Sequence, residues 1–189
     1  TFYIGIDNND KLFDNDKNKD QIISYLNNYN IKCKIFGYSI SPGHVTEIWN
    51  KLFLEAIKDN NEYFYQCGDD IILYTEKWIN ESIKILKENN NYGLVGPIDL
   101  NNQRLLTQAF VSKRHYELFN YFFPPEIKNW YCDDWINEIY KKLDKYFPLK
   151  NCTCKNSGGD PRYRIDFAPQ TFYKNIVNNH YNKLKNIIK

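Results

Sequence analysis

Methionine is absent from all 189 residues, so Thr1 is not a natural start and the chain reads as an N-terminally truncated fragment. A charge excess is also absent. The formal net charge is +2, and Lys and Asp alternate along the chain instead of gathering into a basic stripe. That removes the electrostatic footprint of a nucleic-acid binder. No apolar run approaches the roughly 20 residues of a membrane-spanning helix, and no signal-peptide pattern occurs, so a cytoplasmic location is expected. The five cysteines are an odd number, which fits a reducing compartment better than a disulfide framework. Cys33 and Cys67 are expected to be buried strand thiols. Cys152 and Cys154 lack the second pair that a structural zinc site needs.

Aromatic residues and paired carboxylates are what the chain does hold. Aromatics make up 17% of it, with Tyr dominating; their flat faces and polar tips suit stacking on sugars or bases, and equally suit ordinary cores. Residues 63–73, YFYQCGDDIIL, run an apolar strand into the adjacent acids Asp69 and Asp70. Two anions at this separation repel unless a proton or cation neutralises them, and a hard divalent ion with oxygen ligands does so while leaving positions for phosphate oxygens. A strand end closed by a turn explains the same residues. A second acidic pair, Asp133 and Asp134 in NWYCDDWI, tilts the balance toward a metal and phosphate site.

The element order supports an α/β fold. Strands are expected at Phe2 to Ile6, Ile31 to Tyr38, Tyr63 to Gln66 and Tyr92 to Val95, the last closed by Gly96-Pro97. Helices are expected at Gln21 to Tyr29, from Val45 to Ile57 after Ser41-Pro42-Gly43, and at Trp78 to Leu86. Such alternation predicts a mainly parallel, doubly wound sheet, with ligands at the carboxyl ends of its strands, where Asp7 and Asp69-Asp70 fall. The second half reads as a strand at Leu105 to Val111, a brief helix at Arg114 to Phe119 and an extended Phe122-Phe123-Pro124-Pro125 loop. A helix capped by Asp133 then runs to Leu143. Residues 149–160 read as a mobile loop, Arg162 to Phe167 as a strand, and a final helix starts near Thr171. His115 reads as a surface histidine.

The early strand ending in Asp, the Trp49-Asn50 helix, QCGDD, VGPIDL, LLTQAFVSKRH and NWYCDDWI together resemble the nucleotide-sugar-dependent glycosyltransferases of the GT-A fold, particularly a group of small ones. The likeness covers most of the chain. It implies a single glycosyltransferase domain over residues 1–189, with a nucleotide-sugar and metal half at 1–100 and an acceptor-side half at 101–189, lacking the family's first strand. It implies transfer of a hexosyl group from a UDP- or GDP-sugar to a glycan or protein hydroxyl, with Mn²⁺ or Mg²⁺ bridging the donor diphosphate. On this chain Asp70 takes the direct metal-ligand position, Asp69 contacts ribose or metal, and His180 matches a late metal-binding histidine. Contiguous Asp-Asp departs from the family's Asp-x-Asp. Asp134 is the expected general base and Asp133 its helix cap, in roles that can be exchanged. Asp7 matches a nucleobase contact, while Asn50, Gln108 and Thr107 match donor contacts. Trp130 and Trp135 are candidates to stack on sugars, and Arg162 and Arg164 are candidates to pair with diphosphate. Two other classes share features with this chain. A polymerase palm displays Gly-Asp-Asp but needs a basic channel in a larger chain, and an inactive relative binds sugar or protein without turnover.

Overall fold

The computed structural model of the chain describes residues 1–8, 10–158 and 164–188. Strand β1 (Phe2–Asp7), helix α1 (Asp16–Asn27) and strand β2 (Cys33–Tyr38) form a small unit in which the two strands pair in parallel from Phe2↔Cys33 to Asp7↔Tyr38. Helix α1 begins five residues before the expected Gln21, because the Asn15 side chain accepts a hydrogen bond from Asn18 N at 2.9 Å and caps it there. Helix α2 (Val45–Lys58) follows, and its apolar stripe lies on β1 so closely that a Cβ at Gly5 would overlap the Ile48 side chain.

The remaining strands build one five-stranded sheet. They are β3 (Tyr63–Gln66), β4 (Ile71–Leu73), β5 (Leu94–Asp99), β6 (Ala109–Ser112) and β7 (Tyr146–Asn156), in the spatial order β3-β6-β5-β7-β4. Only β5 and β7 run parallel; β3 with β6, β5 with β6 and β4 with β7 are antiparallel. The fold is thus α/β with helices and mixed sheets, and the expected mainly parallel sheet is corrected. The physical reason lies in the connections, since β5 and β6 pair antiparallel without a helical crossover, which a parallel pair requires.

Two further corrections concern β5 and β7. Gly96-Pro97 does not close β5, which continues to Asp99 with a register irregularity after Pro97; a bulge accommodates the missing amide. The segment expected as a loop from Leu149 belongs to the eleven-residue β7, whose Leu149, Cys152 and Cys154 are buried. Its polar residues hid it, because neighbours on both edges satisfy its backbone. Cys33 is half-buried and Cys67 exposed, against expectation.

Helices cover both faces of the large sheet. Helix α3 (Trp78–Glu88) packs Trp78 and Leu86 with Val95, Phe110 and Leu149 on one face. On the other, helices α2, α4 (Lys113–Phe119), α5 (Cys132–Lys142) and α6 (Pro169–Leu184) enclose the main core of Phe53, Phe64, Leu94, Val111, Trp135 and Ile139. The expected inner face of α5 is confirmed: Ile136, Ile139, Tyr140 and Leu143 are all buried. Residues 164–167 carry no regular structure, so the strand expected there is not formed over its described part. Among the described residues no helix is long and apolar enough to cross a membrane.

Candidate active site

Three chain segments meet at one end of the large sheet. The first is the β3–β4 turn. Gly68 N donates to the buried Gln108 Oε1 at 3.3 Å, and Ser157 N donates to the Asp70 carbonyl at 2.8 Å. The Asp70 carboxylate lies between two glycines: a Cβ on Gly158 would overlap its Oδ2, and one on Gly68 would crowd its Oδ1. Only backbone without side chains can approach the acid this closely. Asp69 is exposed beside it.

The second segment is the end of β5, where Asp99 is 1% exposed. Its Oδ2 accepts from Thr107 Oγ1 at 2.8 Å, and its Oδ1 accepts from Asn101 N at 2.9 Å and Asn156 N at 3.3 Å. Burying a carboxylate is costly unless its oxygens find such donors. These three bonds tie the loop 100–108 to the end of β7, and the Asn156 side chain in turn accepts from Gly158 N beside Asp70. Asp99 was not singled out in the sequence, although it ends an apolar strand just as Asp7 and Asp69 do.

The third segment is the first turn of α5. The expected Asp133 cap is corrected: Tyr131, at φ 74°, is the N-cap residue and makes no side-chain cap bond. Asp134 Oδ1 instead accepts from Arg104 Nη1 at 2.6 Å. Asp133 is half-buried, and the weakly donating Cys132 Sγ lies 3.7 Å from its Oδ1. Burial first, then the neighbouring Asp134 charge, push the Asp133 carboxyl up to about 7, with Arg104 pulling it down and Asp99 adding a smaller upward push. The buried Asn137 fixes this turn to the loop 100–108, since its Nδ2 donates to the carbonyls of Leu106 and Asp133 and its Oδ1 accepts from Leu106 N. Arg104 and Asn137 were likewise missed, because a single Arg in a polar loop and an Asn inside a helix carry no local signal.

Several expected site residues sit elsewhere. Asp7 is exposed at the end of β1 in the small sheet. Asn50 spends its amide on the Phe122-Phe123 backbone, its Oδ1 accepting from both amides at 2.9 Å and its Nδ2 donating to Phe123 O at 2.8 Å. Trp135 is 0% exposed, packed against Phe119 and His180, which corrects its expected stacking role; Trp130 is 43% exposed, edge-on to Phe167. His180 Nδ1 accepts from Trp135 Nε1 at 3.3 Å, and its Nε2 faces Tyr121 Oη at 3.0 Å. With its lone pair so occupied, His180 serves packing and not the acid pair. Arg164 is exposed, and Arg162 lies outside the described residues. His115 is buried, not on the surface.

The donor set at Asp69 and Asp70 is all oxygen and suits a hard cation. Among the described residues no group of three or more His, Cys, Asp or Glu could hold a metal. A cation bound here would draw at most one or two carboxylates from the chain and its other ligands from water and a phosphate, which is the habit of Mg²⁺. No protein-family model, curated protein or solved structure matches the chain. The fold alone defines its class, an α/β protein with a buried mixed sheet and an acidic site at one sheet end.

Proposed function

We propose that this chain performs metal-dependent glycosyl transfer, moving a hexosyl group from a UDP- or GDP-linked donor to an acceptor hydroxyl of a glycan or protein. The observation that carries the reading is the meeting of two acid pairs at one sheet end in unlike surroundings. Asp70 is seated between two glycines at the β3–β4 turn, while burial and the Asp134 charge push the Asp133 carboxyl up to about 7. A general base works best when its pKa lies near the working pH.

Asp133 takes the proton of the acceptor hydroxyl as that oxygen attacks the anomeric carbon, and the bond from that carbon to the diphosphate oxygen breaks with its electron pair leaving on the diphosphate. The Arg104 contact on Asp134 favours Asp133 over Asp134 for this role. Asp70 with Asp69 would hold Mn²⁺ or Mg²⁺, which would supply charge stabilisation to a diphosphate leaving group. Gln108 and Thr107 hold the surrounding backbone, through Gly68 and Asp99 respectively.

Thermal stabilisation of the full chain by Mn²⁺ with a panel of UDP- and GDP-sugars tests the proposal, with Asp70→Asn as the control. The expected result is a shift with at least one donor that Asp70→Asn abolishes, and unchanged Mn²⁺ uptake in Asp70→Asn overturns the reading. One observation favours a second reading, a sugar-binding module without turnover: the exposed Trp130 beside Phe167 offers an aromatic platform. Metal-independent sugar binding lost in Trp130→Ala supports that reading instead.

A further inference from the structure

Arg104 is a cation set among carboxylates, and its loop is unusually well fixed. Residues 100–108 are tied at the start and end to Asp99, through Asn101 N and Thr107 Oγ1, and at Leu106 to the buried Asn137. The same loop is bonded once to the end of β7 and once to the Asp70 turn. Asn101 Nδ2 donates to Asn156 O at 2.6 Å, and Gln108 accepts from Gly68 N. A residue on this loop is therefore held at a set place between the two acid pairs. Its side chain is not spent there: the Arg104 side chain is 65% exposed, against 17% for Asp134. Among the described residues its side-chain partner is Asp134 alone, reached through Nη1. A guanidinium carries five N–H donors in a planar fork, so most of them face solvent beside Asp134.

We infer that Arg104 is a diphosphate-binding residue held in reserve by Asp134, so that an incoming diphosphate takes over the guanidinium and Asp134 releases it. The inference rests on the proposed function for the identity of the anion. The exchange is favourable because a partly exposed one-point ion pair is weak, whereas a diphosphate offers several anionic oxygens to a fork shaped for two parallel bonds. It also links the two half-reactions. Asp134 raises and Arg104 lowers the proton affinity of Asp133; moving Arg104 onto the donor leaves the Asp134 charge unmasked and strengthens Asp133 as a proton acceptor once the donor is in place.

Calorimetric titration with inorganic pyrophosphate in metal-free buffer tests the exchange in the full chain. Arg104→Gln is expected to weaken binding on the order of tenfold. Asp134→Asn is expected to tighten it by about threefold, since the internal competitor is gone, and to give no such gain in the Arg104→Gln background. Glu138 lies one turn along α5 from Asp134 and accepts from Tyr173 Oη at 3.0 Å; Glu138→Gln, which removes that charge without freeing Arg104, should leave affinity within about 1.5-fold. Unchanged affinity in Arg104→Gln, or equal tightening by Asp134→Asn with and without Arg104, overturns the inference. Glucose 6-phosphate and glucuronate, titrated alongside, stand for an acceptor phosphate or carboxylate; Arg104-dependent binding of either without pyrophosphate binding also overturns it. Because no metal is present, loss of Mn²⁺ binding at Asp70 and loss of the Arg104 effect are read separately.

Discussion

His115 and Asp133 are both titratable groups set against the protein interior, the first buried and the second half-buried, and the two regions that hold them treat them in opposite ways. In the aromatic core His115 has both nitrogens paired. Phe122 O can only accept, so Nε2 carries the proton and donates to it at 3.0 Å, which leaves Nδ1 to accept from Tyr140 Oη at 2.8 Å. Phe53, Phe119, Phe122 and Trp135 surround the ring. At the sheet end Asp133 sits beside a second acid with a thiol for a partner. A core neutralises and saturates what it buries, and a site leaves a group poised between states. The largest test of the contrast is Trp135→Ala, which cuts into the core one helical residue beyond the acid pair. Its removal should cost about 3–5 kcal/mol, read as a drop in urea midpoint without change of slope; a cost below about 1 kcal/mol would mean the indole is not the packing element its burial indicates.

The pH dependence of stability separates the two groups next, because their shifts have opposite signs. Burial holds His115 at about 4, below its ordinary 6.5. The unfolded chain thus takes up the proton first as pH falls, and the contribution of neutral His115 is full above 6.5 and lost on the way down to about 4. The advantage of the wild type over His115→Phe should shrink by roughly 3 kcal/mol across that window. Asp133 is raised from 3.8 to about 7, so the folded chain holds its proton longer and stability is lost as pH rises through that range. Asp133→Asn should therefore gain on the wild type between pH 4 and 7 and hold a constant lead above it. Urea melts at pH 4, 5.5, 7 and 8 read both slopes, and parallel curves for Asp133→Asn and wild type would mean that folding leaves the Asp133 carboxyl unshifted, against its poised state at the sheet end.

What the sequence disclosed of this contrast follows from locality. Helices α2, α3 and α5 were legible because each carries its own apolar stripe, and β3 because it is aromatic and ends in two acids. Strand β7 was not, since LKNCTCKN has no apolar alternation and is a strand only because β5 and β4 lie on either side of it. The site divides in the same way. Asp69, Asp70, Asp133 and Asp134 announce themselves as pairs, while Asp99, Arg104 and Asn137 acquire meaning only from partners such as Thr107, Asp134 and Leu106, up to 31 positions away. His115 follows Lys113 and Arg114 and reads as surface, yet α4 turns it inward while its basic neighbours face water. Asn50 and His180 show the converse: residue types suited to ligands were used to fasten a loop and an aromatic cluster.

The smallest expected effect is the most discriminating. Arg104→Gln removes an exposed side chain from an ion pair, and such pairs contribute about 0–1 kcal/mol, so the melting curve at neutral pH should scarcely move. The titration of Asp133 should move clearly. Arg104 lowers that carboxyl and Asp134 raises it, and the substitution deletes the lowering charge while leaving Asp134 unmasked, so the midpoint should shift upward, as followed by the ¹³C resonance of the Asp133 carboxyl. A core group would not answer to a surface charge in this way: His115, read by its ring protons in the same samples, should keep its midpoint, because its partners are Tyr140 and a backbone carbonyl and none of them titrates with Arg104. An unmoved Asp133 midpoint would place the Arg104 charge out of its reach, and with it the link between the loop 100–108 and the acid that the proposed chemistry uses.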